Sequence, residues 1–179
     1  DPGRRAIARF ANAEAIGHLR SGLLSLKSLP EGIERDRQEL LLQANLGTAL
    51  GSSMGYTPPE VGQVFERARE LSERVGDTPS KFLILFGLWV YYVMRADYTN
   101  SRQLGAQILA LAHGADQAAA LVLGHQCVSC TAFFTGDIEQ ALRHANAGYE
   151  TYQNSGSRPG WCTDLTQASF ASNGAHGRC

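Results

Sequence analysis

Residues 136–152 read Gly-Asp-Ile-Glu-Gln-Ala-Leu-Arg-His-Ala-Asn-Ala-Gly-Tyr-Glu-Thr-Tyr, and their pattern decides the fold. Ile138, Ala141, Leu142, Ala145, Tyr149 and Tyr152 recur at steps of three and four, the period of a helix with one apolar face. Gly136-Asp137 is a turn in front of that helix, and Asp137 and Gln140 are spaced as a capping box. Forty residues earlier Ala96-Asp97-Tyr98 makes an equivalent turn, and each turn lies between a longer apolar helix and a more polar one. The helices before the turns, around Trp89 and Ser129, are also forty residues apart. A fixed period of this length is the mark of a repeat architecture.

Outward from this pair, the same period and the same punctuation predict about seven helices, and no segment alternates like a strand. The first spans about Arg4 to Leu29, with Ile7, Phe10, Ala11, Ala15, Leu19, Leu23 and Leu26 on one face and Pro30 as its stop. The second spans about Glu34 to Met54, with Leu40, Leu41, Leu46 and Leu50, and closes at Gly55. In Thr57-Pro58-Pro59-Glu60, Thr57 is the expected cap of the third helix and Glu60 the residue that reaches back. Its apolar face is Val61, Val64, Phe65, Ala68, Leu71 and Val75, and Gly76-Asp77 ends it. Thr78-Pro79 repeats the device for a fourth helix, about Pro79 to Arg95. The fifth runs to about His113 with Leu104, Ile108, Leu109 and Leu111, and the sixth from about Asp116 to Thr135.

Breaks this short force consecutive helices into antiparallel hairpins, and each hairpin exposes too much apolar surface to stand alone. The expected fold class is therefore all-α, an α-solenoid of stacked hairpins over residues 1–153. Residues 154–179 turn to Ser, Gly, Asn and Thr, and read as a loosely ordered tail or one foreign to the repeat. Asp1-Pro2-Gly3, followed at once by a helical pattern, suggests a piece of a longer polypeptide.

Sixteen basic and seventeen acidic residues give a formal charge of -1, so no global field draws the chain to nucleic acid or anionic lipid. The longest apolar run, Phe82 to Met94, is broken by Gly87 and falls short of the roughly 20 residues that span a bilayer. Residues 1–30 lack the regions of a signal peptide, and the expected compartment is cytoplasmic. Cys127, Cys130, Cys162 and Cys179 are too few for a disulfide framework, and reduced thiols are expected.

No Gly-rich phosphate loop, zinc-protease helix or nucleophile elbow occurs. Cys127-Val128-Ser129-Cys130 with Cys162 and either His176 or Cys179 would supply four zinc ligands, but residues three apart share a helix face and small cysteines suit close packing, so a structural role is expected. His18, His113, His125, His144 and His176 sit in separate segments, with no carboxylate or cysteine spaced for a dyad. Phe82, Phe86, Trp89, Tyr91 and Tyr92 read as core rather than as an aromatic cage. Arg67, Arg69 and Arg74, interleaved with Glu66, Glu70 and Glu73, read as a solvated face with helical ion pairs.

Several segments carry a resemblance in order: Ala13-Glu14-Ala15-Ile16, Leu29-Pro30-Glu31 through Glu39-Leu40, Leu46-Gly47-Thr48-Ala49-Leu50, Gly55-Tyr56 with Pro59-Glu60-Val61, and Arg67 to Leu71. Phe86-Gly87-Leu88-Trp89, Leu104 to Ala112 and Gly136 to Tyr152 continue it. The chain resembles the helical-repeat region that follows the ATPase module in bacterial class III adenylate or guanylate cyclase-like proteins and related signalling ATPases. Gly-Asp-Ile-Glu-Gln-Ala is also similar to the Gly-x-Tyr-x-x-Ala core of a tetratricopeptide repeat. The resemblance covers about residues 4–152 and departs at Gln153-Asn154-Ser155-Gly156. It implies a right-handed, tetratricopeptide-like superhelix acting as a non-catalytic interaction or regulatory scaffold.

The expected partner is a protein or peptide, including the ATPase or cyclase modules of the same polypeptide, with no nucleic acid, membrane, cofactor or metal. In such repeats the first helix of each hairpin lines the concave side. Setting Gly47, Trp89 and Ser129 as equivalent gives Asn45, Thr48, Met94, Gln126 and Cys130 as candidate groove residues. The alternative function is a small-molecule sensor with a pocket near Trp89 and Tyr92.

Overall fold

The computed structural model describes residues 2–113 and 118–155, with side chains from residue 12 onward except at positions 78 and 79. Among these residues the chain forms seven α-helices and no strand. They are α1 (Pro2–Leu26), α2 (Ile33–Met54), α3 (Pro59–Val75), α4 (Thr78–Met94), α5 (Tyr98–His113), α6 (Ala118–Phe134) and α7 (Ile138–Asn154). The expected tail beyond Ser155 and the expected start of the sixth helix at Asp116 lie outside the described residues, while Asn154 still belongs to α7.

The forty-residue period reappears in the backbone. Ala96 N donates to Val93 O and Asp97 N to Tyr92 O, while Gly136 N donates to Phe133 O and Asp137 N to Ala132 O, the same bonds forty residues on. Both turns pass through the left-handed region, at Ala96 (φ 57) and Gly136 (φ 81). Asp97 and Asp137 then cap the next helices by accepting from Asn100 N (3.2 Å) and Gln140 N (3.0 Å).

Helix starts elsewhere differ from the expectation. Pro58, not Thr57, occupies the cap position of α3, with no side-chain cap bond. Glu60 does not reach back. Its carboxylate accepts instead from Arg20 of α1 at 2.6 Å, since Pro58 in the cap position has no amide hydrogen for a capping box to use. Thr78 is likewise inside α4, and Asp77 does the capping through Ser80 N (3.3 Å). Helix α1 ends three residues before the expected Leu29, its last turn tightening into bonds such as Leu29 N to Leu26 O.

Each helix packs on the next in chain order, and α2 also touches α4. The core runs continuously from Ile16 of α1 through Leu40, Leu50, Val61, Phe65, Leu71, Ile84, Leu85, Leu88 and Trp89 to Leu104, Ile108, Leu123 and Cys127. Burying a side chain of this size contributes about 1.5–3 kcal/mol. Phe65 is the pivot of the first half. A Cβ on Gly47 of α2 would lie 2.8 Å from its ring, and one on Gly87 of α4 only 2.4 Å. The two missing side chains therefore form the slot for one ring. Leu41, expected in the core, is 57% exposed, because Leu40, Ala44 and Leu50 take the inward face and Leu41 lies a residue round the helix from it.

The basic residues of α3 do more than line a solvated face. Arg67 Nε and Nη2 donate to the Glu39 carboxylate of α2 (2.7 and 3.1 Å), and Arg74 Nη1 donates to Asp36 (3.1 Å). The Arg67 bond holds the Glu39 carboxyl below its usual range. Arg69 and Glu73 keep the expected helical pairing. No helix among the described residues is long and apolar enough to cross a membrane.

Candidate functional site

Only part of the apolar stripe of α7 is buried. Ala141 is buried, but Ile138, Leu142 and Tyr149 are 51%, 59% and 62% exposed. On α6, Phe133 is 61% exposed beside them. Together with Val122, Gln126, Ser129, Cys130, Ala145 and Tyr152 these side chains line an open groove of about 760 Å³ along the α6–α7 hairpin.

Small residues bring the two helices close beneath the groove. Ser129 Oγ donates across to Ala141 O at 2.8 Å. Gly148 lies against α6, where a Cβ would come within 3.2 Å of His125 Cβ. No Asp, Glu, Lys or Arg lines the groove. Its chemistry is that of an apolar trough with an amide, a thiol, an imidazole and the hydroxyls of Ser129, Tyr149 and Tyr152 as polar points.

Histidines meet at the edge of the trough. His125 Nδ1 of α6 and His144 Nδ1 of α7 are 3.0 Å apart, with ring centroids at 5.2 Å. His113 of α5 stands edge-on to His125 at 6.2 Å. Burial pushes the His125 imidazole below its ordinary value, and the neighbouring His144 and His113 add to the effect. Burial, with Arg143 beside it, lowers His144 as well. Both rings are then neutral at pH 7, and one Nδ1–H donates to the other Nδ1.

The expected groove residues divide. Gln126 and Cys130 come together in the trough. Asn45 stands exposed on α2, where its amide donates to Leu41 O (2.8 Å), and Thr48 Oγ1 donates to Ala44 O (3.0 Å). Met94 is exposed at the end of α4. The residues of the expected sensor pocket are engaged: Trp89 Nε1 donates to Thr131 Oγ1 and Tyr92 Oη donates to Glu66 (2.9 Å).

Burial pushes the thiols of both Cys127 and Cys130 up, so neither is a thiolate nucleophile at neutral pH. Among the described residues no three His, Cys, Asp or Glu side chains converge as metal ligands, and Cys162, His176 and Cys179 lie outside those residues.

The histidine contact escaped the reading of single segments because its partners are nineteen residues apart on different helices. A signal was present. In an antiparallel hairpin, residues equidistant from the turn face each other, as Ser129 and Ala141 do, and His125 and His144 are almost equidistant from Thr135. No family model matches the chain, and neither a curated protein nor a solved structure matches it.

Proposed function

We propose that the chain is a non-catalytic interaction scaffold, an α-solenoid of tetratricopeptide-like hairpins whose α6–α7 groove takes an uncharged apolar helix of a protein partner. The carrying observation is the open stripe Ile138, Leu142, Ala145, Tyr149, which together with Phe133 makes a continuous uncharged trough. Contiguous exposed apolar surface of this kind marks protein contact sites, and a trough between two helices suits a third helix laid into it. The solenoid reading is supported by the repeated turns and by packing in chain order, with α2 touching α4 and Trp89 of α4 bonded to Thr131 of α6. The resemblance to the repeat region of cyclase-like signalling ATPases supports a place beside such a module, whose surface is then one source of the docking helix.

The test is selection of helical peptides from a displayed library by the full chain, with Leu142→Lys as a counter-selecting variant. Leu142 is exposed, so the substitution spares the core. Expected winners carry apolar residues at i, i+3, i+4 and i+7, and lose about tenfold or more in affinity for the variant, a change of about 1.4 kcal/mol. Winners that bind both proteins equally, or no winners at all, overturn the reading.

A further inference from the structure

We infer that His125 of α6 and His144 of α7 form a binding site for one divalent ion of the Ni2+ or Cu2+ type, each imidazole ligating through Nδ1. The site stands apart from the docking reading of the groove and does not depend on it.

The argument is geometric. Imidazole nitrogens bind late first-row ions at about 2.0–2.1 Å, and two nitrogens 3.0 Å apart then subtend about 90–100° at the ion. That is the angle between neighbouring ligands in a tetragonal or octahedral shell, and it is narrower than the tetrahedral angle a zinc site adopts. Because the two rings come from separate helices, their spacing is set by the α6–α7 packing, including the Ser129–Ala141 bond and the close approach of Gly148 to His125. The donors are already together but meet nearly head-on, with nitrogens 3.0 Å and ring centroids 5.2 Å apart, so binding the ion requires each ring to turn about its Cβ–Cγ bond until its Nδ1 lone pair faces the ion.

Ligation needs both Nδ1 atoms free of hydrogen. The single hydrogen held between them shifts to an Nε2, a tautomer change with no net change in protonation. Arg143 stands beside His144, and its guanidinium is turned to Glu139 at 3.5 Å. No third His, Cys, Asp or Glu converges on the pair among the described residues, so solvent fills the remaining positions of the shell. His144 also lines the groove, which gives the ion access from solvent.

The test is calorimetric titration of the full chain with Ni2+, together with imidazole NMR, in which the paramagnetic ion broadens the rings that hold it. The expected result is one site that broadens His125 and His144 before His18 or His176. His125→Gln and His144→Gln each weaken binding by at least the about tenfold that loss of even an outer partner of a metal ligand costs. His113→Gln leaves it within about twofold, well below that loss. Broadening that begins at other histidines, or a His125→Gln/His144→Gln variant that binds Ni2+ as tightly as the parent, overturns the inference. Because the NMR readout uses the unmutated protein, it decides the matter even where a variant folds poorly.

Discussion

Trp89 Nε1 donates to Thr131 Oγ1 at 3.0 Å across forty-two residues, and both side chains are buried. Thr131 in turn donates to Cys127 O, so its hydroxyl is the hinge of a short relay that ties α4 to α6. An indole N–H with no acceptor in a dry core costs the desolvation of that group. Thr131→Val, which keeps the shape, is therefore expected to lower stability by about 1–3 kcal/mol in urea unfolding. Adding Trp89→Phe removes the orphaned donor, and the double variant should lose less than the sum of the two single ones. Strict additivity would mean that the bond contributes nothing.

Phe65 sits in a slot that leaves no room on either side. Its ring is fully buried, meets Gly47 and Gly87 on facing helices, and stacks on Tyr56 with centroids 6.5 Å apart. A methyl added at Gly87 cannot push the ring toward α2, because Gly47 already lies against it. Gly87→Ala should destabilise by about 1–3 kcal/mol, the usual cost of overpacking. Phe65→Leu in the Gly87→Ala background should restore part of that loss, as read by thermal unfolding. A Gly87→Ala protein as stable as the parent would show that the slot is loose.

Two equivalent turns carry different residues at the same left-handed position, and this sets up a paired test. Gly136 (φ 81) has open space where a Cβ would go, so Gly136→Ala meets only backbone strain. Ala96 (φ 57) already carries that strain. A left-handed residue with a Cβ costs about 1–2 kcal/mol, while glycine loosens the unfolded chain by about 0.4–1 kcal/mol. Gly136→Ala should therefore lower stability, and Ala96→Gly should raise it by about 0.5–1 kcal/mol. Changes of the same sign at both sites would break the equivalence of the turns.

Much of this was legible in the sequence because its causes are local. Helical period and Gly-Asp breaks lie within a few residues, and so the seven helices, the forty-residue spacing of the turns, and the inward face Val61, Val64, Phe65, Ala68 and Leu71 could be read directly. What could not be read is set by distant partners. Glu60 has the spacing of a capping residue, yet Arg20 takes it, and Arg67 looks like a surface charge until Glu39 of α2 faces it. The stripe on α7 shows the same limit. Period marks Leu142 and Tyr149 as one apolar face, but only the packing around α7 decides whether that face is covered. Gln126 and Cys130 reached the groove because the sixth helix lines it, whereas Asn45 and Thr48 spend their polar atoms on carbonyls one turn back.

Tyr92 offers a test at alkaline pH. Its phenol is half-buried and donates to Glu66 at 2.9 Å, and burial, followed by the Glu66 carboxylate, pushes its pKa up to about 12 from the ordinary 10.0. The folded protein thus keeps this proton at a pH where the unfolded chain has lost it. The resulting stabilisation is fully present below about pH 10 and is lost as pH rises through about 12. In an ultraviolet titration, the difference between the parent and Tyr92→Phe should show one tyrosinate that forms only near pH 12. Glu66→Gln should bring that midpoint down only part of the way, because the carboxylate is the smaller cause and burial remains. A difference titration centred near 10 in the parent would mean that the Tyr92 phenol is neither buried nor bonded to Glu66 in solution.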